Sequence, residues 1–245
     1  MRLSASKISL YAECPLKYKF KYIDKIEKPQ ETIHLDLGIA VHAALELFNK
    51  ELCPVEDVLQ EFHNSFECQK DHYLHYKLYW MGINGLIKYL ENVDYTPLET
   101  EKRFETTIEG IEVVGIIDAV LKRKGKIHVV DYKTSKNAYT RFQLDTSFQL
   151  ALYFYAAKEM GINPEYIAYW IFLKDYDTLN GDIKLQRKKI TTTQIERMKS
   201  ILRITKQGIE NQIFVPYVHD NCKWCEYKQE CLEWPKKGGS DGPSR

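Results

Sequence analysis

The sequence has no run of about 18 apolar residues, so no membrane-crossing helix is expected. Its opening, MRLSASKISL, lacks the apolar core of a signal peptide. It has almost no net charge, with 35 Lys and Arg against 34 Asp and Glu leaving +1 over 245 residues. A surface basic throughout is thereby excluded, and any nucleic-acid contact must rest on a local patch. Internal repeats are missing too. These absences predict a cytoplasmic protein, in which the six cysteines stay reduced or bind metal. With 44% hydrophobic and 28% charged residues, the rest of the composition is that of a globular chain. Its length suffices for one large domain or two small ones.

Val114 to Lys136 holds the most information. Two apolar runs, Gly115–Leu121 and Lys126–Tyr132, flank Lys124-Gly125, which has the composition of a two-residue hairpin turn. Counting outward from that turn sets Arg123 against Lys126, Leu121 against His128 and Asp118 against Asp131. Opposed residues share a face with Cβ atoms about 5 Å apart, and Lys133, two residues beyond Asp131, joins them. Ile117, Ala119, Leu121, Val130 and Tyr132 fall on the other face, toward a core. Two carboxylates that close repel when ionised, and a hard divalent cation such as Mg²⁺ or Mn²⁺ relieves the repulsion. A lysine at the rim can orient or deprotonate a water, or stabilise developing phosphorane charge. The set suits metal-assisted phosphodiester hydrolysis. An exposed hairpin with ordinary surface charges is the plain alternative.

Elsewhere the pattern is mostly helical. Ser4 to Leu16 reads as a helix capped by Ser4 or Ser6. In LKYKFKYIDK, Lys17, Lys19 and Lys21 alternate with Tyr18, Phe20 and Tyr22, either to grip a nucleic-acid strand or as a half-buried element with a solvated face. Gly38 to Lys50 has helical periodicity and carries His42. A lone helical histidine is ordinarily structural, and this one matters only if its helix crosses the hairpin, where it would tilt metal preference toward Mn²⁺. Pro54 to Asn92 reads as aromatic-rich helices. Cys53, Cys68, His63, His72 and His75 in or beside them match no standard zinc spacing. Leu98 to Val114 reads as two strands joined at Glu109-Gly110, from which Glu101 and Glu105 could approach a metal. Asp145 or Thr146 is the expected cap of a helix ending before Gly161. Gln149 and Tyr153 share one face of it, within reach of a phosphate or base. Tyr166–Leu173 is expected as a buried strand beside the Asp131 strand, followed by a strand from Asp182 to Ile190 and a helix opened by Thr193 and Glu196.

Near the C-terminus, Cys222-x2-Cys225-x5-Cys231 needs a fourth ligand for a tetrahedral Zn²⁺ or a [4Fe–4S] cluster. Cys14, over two hundred residues upstream and also near a chain end, is the candidate. Spacing alone leaves zinc and iron–sulfur open.

Five short motifs in this order resemble the RecB-like branch of the PD-(D/E)XK nucleases. They are Leu37-Gly38-Ile39-Ala40-Val41-His42, Gly115-Ile116-Ile117-Asp118, Asp131-Tyr132-Lys133, Gln149-x3-Tyr153, and Cys14 with the cysteine triplet. Within that branch the likeness is to the iron–sulfur members, which include CRISPR-associated Cas-four exonucleases and AddB-type nuclease domains. The resemblance implies an α/β restriction-endonuclease-like core with a central mixed sheet flanked by helices. It implies a single nuclease domain over 1–237, with a helical insertion at 54–95, cluster-binding segments at 14 and 222–231, and a disordered tail at 238–245. It also implies that His42, Asp118, Asp131 and the Tyr132 carbonyl hold the catalytic Mn²⁺ or Mg²⁺, with Lys133 acting on the water. Gln149 and Tyr153 would bind substrate. Cys14, Cys222, Cys225 and Cys231 would hold a [4Fe–4S] cluster, with zinc as the alternative. The expected function is a DNA nuclease, an exonuclease on single strands or DNA ends, in repair, recombination, phage DNA processing or CRISPR adaptation, with protein partners in such complexes. The alternative is a non-catalytic iron–sulfur DNA-binding or assembly module.

Overall fold

The structure, a computed structural model, describes residues 1–28, 33–66, 73–176 and 180–237. Cys68, His72 and the expected disordered tail lie outside the described residues.

In chain order the regular elements begin with β1 (Arg2–Ser4) and α1 (Ala5–Glu13). Ser4 caps α1 by accepting the Lys7 N–H. That helix ends at Cys14, two residues earlier than the sequence suggested, because Pro15 disfavours helical backbone in the residue before it. Pro15 then opens α2 (Pro15–Tyr18), which passes into a π-helical turn over Lys19–Ile23. Three longer helices follow: α3 (Ile33–Glu51), α4 (Val55–Ser65) and α5 (Tyr73–Asn92). Next come β2 (Thr96–Ile108), β3 (Ile111–Arg123) and β4 (Lys126–Ser135), then α6 (Arg141–Thr146) and α7 (Phe148–Glu159). Last are β5 (Tyr166–Leu173), β6 (Asp182–Lys188), α8 (Thr192–Glu210) and α9 (Lys228–Lys237).

Three helix starts differ from expectation, the first being α3, which begins at Ile33 rather than Gly38. Ser147 caps α7, since Asp145 and Thr146 complete α6, whose own start is a Thr140–Gln143 capping box. The start of α8 is set by Thr191 and Gln194, two residues before Thr193 and Glu196. Thr191 Oγ1 accepts the Gln194 N–H and the Gln194 side chain accepts the Thr191 N–H.

The chain forms two compact units, Met1–Gln30 with Thr107–Val113 and Lys199–Arg245, and Glu31–Thr106 with Val114–Met198.

In the second unit the sheet runs β3-β4-β5-β6, with β2 also paired to β3. Lys124 (φ 47°) and Gly125 (φ 78°) make the β3–β4 turn with both residues at positive φ, the form that matches strand twist. The register follows from it: Arg123 opposes Lys126, Leu121 opposes His128 and Ala119 opposes Val130. After α6 and α7 the chain returns as β5, parallel to β4, with Asp131 beside Tyr169 and Lys133 beside Ile171. Antiparallel β6 completes a mixed sheet. One sheet face, with Ala119, Leu121, Val130, Tyr132, Ala168, Trp170 and Phe172, packs under Leu37, Val41 and Leu45 of α3, Phe62 of α4, and Leu78, Leu86 and Tyr89 of α5. Each fully buried Val, Leu or Phe among them contributes roughly 1.5–3 kcal/mol. Phe62, Tyr79 and Tyr89 are thus used in packing while Tyr73, Tyr76 and Trp80 stay exposed, and His63 and His75 sit among rings.

In the first unit, N- and C-terminal segments are bound together. Tyr11 Oη donates to the Ile213 carbonyl at 2.7 Å, the Leu16 N–H to the Val215 carbonyl, and Tyr227 Oη to the Ile26 carbonyl. Lys17 pairs with Glu226 at 3.2 Å and Lys28 with Glu230 at 2.5 Å. The alternating basic and aromatic stretch is a half-buried element. Tyr18 packs on Tyr11 and Phe20 on Tyr227, both buried.

Candidate metal centre

The β3–β4 hairpin brings two acids together inside the second unit. Asp118 is 9% exposed and Asp131 2%. Asp118 Oδ2 accepts the backbone N–H of Tyr132 at 2.7 Å, which ties the first acid to the strand carrying the second. Tyr132 is pinned in turn by its hydroxyl, which meets Tyr89 Oη at 3.1 Å and accepts from Asn49 Nδ2 at 3.0 Å. The backbone between Asp131 and Lys133 is thereby fixed from the core side.

Helix α3 delivers His42. Its Nε2 lies 2.9 Å from the Tyr132 carbonyl oxygen and its Nδ1 3.7 Å from Asp118 Oδ2. Asn49 is seven residues on, on the same face of the helix, so one helical stripe supplies both the imidazole and the anchor of Tyr132. Spacing alone could have found Asn49, a polar residue on an otherwise apolar stripe.

Glu101 enters from β2. One ligand atom from each of His42, Glu101 and Asp118 lies within 4.8 Å of the others. The sequence offered Glu101 only as a strand residue able to approach. What turns it inward is a left-handed backbone conformation, φ 48°, in the middle of a strand. Non-glycine residues adopt this rarely, and when they do it often marks a functional position.

Asp131 is held differently. Lys133 Nζ stands 2.6 Å from its Oδ2, and Gln149 Nε2 donates to its Oδ1 at 2.8 Å. Gln149 lies 3.1 Å from Tyr153 Oη, on the face of α7 that the i, i+4 spacing predicts.

The electrostatics follow from burial. Desolvation, and then the charge of Asp131, push Asp118 well above the usual carboxylate range. Desolvation also raises Asp131, against the pull of Lys133. Burial lowers His42, which favours the neutral imidazole that ligates metals. Burial alone would lower Lys133, but the Asp131 carboxylate outweighs it and keeps the lysine an ammonium. Two buried acids that resist ionisation, a neutral imidazole and a backbone carbonyl suit a divalent cation, which would discharge both acids.

The first unit gathers the cysteines. Cys14, Cys222, Cys225 and Cys231 line one cavity of about 470 Å³, with Leu16 and Tyr227 in its walls. Burial raises the Cys225 and Cys231 thiols, and Cys231 lies within electrostatic reach of the other three. Cys53 lies in the second unit, against its core.

No helix among the described residues is long and apolar enough to cross a membrane. The chain is similar to the Gene 69 protein of Mycobacterium phage D29, 26% identical over 93% of this chain and 95% of that one. It is also similar to an ATP-dependent helicase/deoxyribonuclease component of Clostridioides difficile (strain 630), 26% identical over 68% of this chain but only 19% of that protein. Its fold matches the structure of a proposed exonuclease from Eubacterium rectale, with a TM-score of 0.55, 14% identity, and coverage of 100% of this chain and 90% of the other. The PD-(D/E)XK nuclease superfamily model matches residues 2–232, nearly the whole sequence. The chain therefore belongs to the PD-(D/E)XK nuclease superfamily and is a DNA nuclease built on a mixed sheet flanked by helices.

Proposed function

We propose that the chain is an exodeoxyribonuclease that degrades DNA from ends or as single strands, using Mn²⁺ or Mg²⁺ at the hairpin and a [4Fe–4S] cluster at the cysteines. The observation that carries the catalytic part is the convergence of His42, Asp118 and the Tyr132 carbonyl beside an Asp131–Lys133 pair separated by 2.6 Å. His42, Asp118, Asp131 and the Tyr132 carbonyl would hold the cation, with Glu101 as a further ligand. A divalent cation bound there would supply Lewis-acid polarisation of the scissile phosphate and make an attacking water more acidic. Lys133, kept an ammonium by Asp131, orients the attacking water and offsets charge developing on the phosphate oxygens. Gln149 fixes the Asp131 carboxylate and is steadied by Tyr153, which supports a positioning role for this pair. Burial favours the neutral His42 imidazole, the form that ligates a cation.

Four cysteines line one cavity, and among the described residues no three of their sulfurs lie within 4.8 Å of one another, a spacing wider than that of a tetrahedral zinc ion's ligands. The cavity of about 470 Å³ and its partly apolar wall favour the larger iron–sulfur cube. Such a group would add a cross-link between chain ends already joined by hydrogen bonds. The Clostridioides relative, a helicase/deoxyribonuclease component, supports DNA as substrate, and the phage source of the other relative fits phage DNA processing as the setting. A cytoplasmic location fits that setting.

Linear and circular single strands separate the exonuclease reading from an endonuclease. With Mn²⁺, labelled linear strands should shorten from one end while closed circles of the same sequence persist. Cutting of circles at the linear rate would reject the exonuclease assignment. Anaerobically purified protein should be brown and absorb near about 400 nm, whereas stoichiometric zinc in colourless protein would reject the cluster.

A further inference from the structure

The strand carrying Asp131 and Lys133 ends at Ser135, and four residues later Tyr139 is clamped by its backbone. The Gln186 side chain on β6 accepts the Tyr139 N–H at 2.9 Å and donates to the Tyr139 carbonyl at 2.8 Å. Gln186 is in register with Tyr169 on β5, and Tyr169 with Asp131 on β4. The clamp therefore delivers the Tyr139 ring to the row of the sheet that holds the second acid. It rests on Tyr169 with ring centroids 4.8 Å apart and planes inclined by 35°. Tyr169 is buried, hydrogen-bonded to Ser147 at 2.9 Å, and has Lys133 Nζ 5.7 Å from its centroid.

Three residues beyond Tyr139, Phe142 is 74% exposed. It sits in the first turn of α6, which the Thr140–Gln143 capping box opens, and presents a large apolar ring to solvent. Burial does not explain that ring, and packing does not explain why Tyr139 is fixed by its main chain while its ring stays partly exposed. Lys136, exposed three residues after Lys133, adds positive charge to the same connection.

We infer that Tyr139 and Phe142 form a platform on which unpaired nucleobases next to the scissile phosphate stack, so that the site takes single-stranded DNA or frayed ends in preference to intact duplex. The inference deepens the nuclease reading and rests on it. Every base has a π-face, so such a platform tolerates any sequence. A base inside a duplex is already stacked on both faces and must first be unstacked at a cost. Lys133 and Lys136 would draw the intervening phosphates, making binding weaken with salt.

The test uses the full chain with chelator present and single strands carrying 2-aminopurine near one end. Wild type should quench the fluorescence on binding, and should bind a strand with abasic sites at those positions more weakly. Phe142→Ala, at an exposed position that leaves the fold undisturbed, should weaken binding of the intact strand by on the order of 10-fold, and Tyr139→Ala by a similar factor. Neither should weaken the abasic strand further, and Tyr139→Phe should bind as wild type. Equal loss on intact and abasic strands, or no loss with Phe142→Ala, would overturn the platform. Parallel cleavage assays with Mn²⁺ keep the two ideas apart. Quenching without any cleavage would sink the nuclease mechanism and leave the platform standing; full cleavage with unchanged binding in the variants would do the reverse.

Discussion

Glu101 reaches the Asp118 carboxylate from the middle of β2 because its own backbone is left-handed. That conformation costs of order 1–2 kcal/mol for most side chains. Asparagine tolerates it and lacks the carboxylate charge. Glu101→Asn should therefore leave the melting temperature nearly unchanged while raising the Mn²⁺ concentration for half-maximal cleavage by about 10-fold or more. A metal titration of cleavage beside a thermal melt checks both halves. An unchanged titration would remove Glu101 from the metal site.

The two buried acids set a pH dependence whose sign can be worked out. Asp118 and Asp131 have folded pKa values raised above their unfolded values, chiefly by burial. Their stability contribution is present below the unfolded carboxylate pKa of about 4 and is lost as pH rises through the raised values. His42, lowered by burial, works in the opposite sense, helping above its unfolded pKa of about 6.5 and losing that help as pH falls. A cation needs both acids ionised, so the melting-temperature gain from Mn²⁺ over chelator should grow from about pH 5 to about pH 8. Asp118→Asn should flatten the growth. A gain independent of pH in the wild type would contradict this account.

Gly208 in α8 has no room for a side chain. A Cβ there would lie 2.1 Å from Tyr11 Oη and 2.8 Å from its Cζ, displacing the ring that bonds Ile213. Gly208→Ala should cost about 1–3 kcal/mol, lowering the melting temperature by roughly 3–10 °C. Tyr11→Phe removes the nearest atom, so the double variant should be more stable than the two separate losses sum to. Strict additivity would mean that the contact does not govern the packing.

How much of this was legible in the sequence depends on how local each constraint is. The hairpin register was legible because a two-residue turn fixes the count, and one slipped residue would invert both faces. Strand β5 was legible as a short, wholly apolar run. His42 was not legible from periodicity, since a histidine on a helix has no meaning until that helix lies over Tyr132; only the motif order singled it out. The inward turn of Glu101 depends on a single dihedral angle that no residue pattern announces. The Thr191-Thr192-Thr193 run offered competing caps, and a glutamine closed the box where a glutamate was expected. Alternating lysines and aromatics suit a strand grip and a half-buried helix equally, and only the structure shows that Tyr18 and Phe20 are buried.

The central claim is that a cation held by Asp118 and Asp131 acts with Lys133 to cut DNA. End-labelled single-stranded and duplex DNA incubated with Mn²⁺ and wild type, Lys133→Ala or Asp131→Ala tests it most directly, with thermal melts of the same samples. Wild type should cleave, and both variants should melt cooperatively as folded proteins while losing at least about 100-fold in rate. A folded Lys133→Ala protein cutting at the wild-type rate would contradict the account.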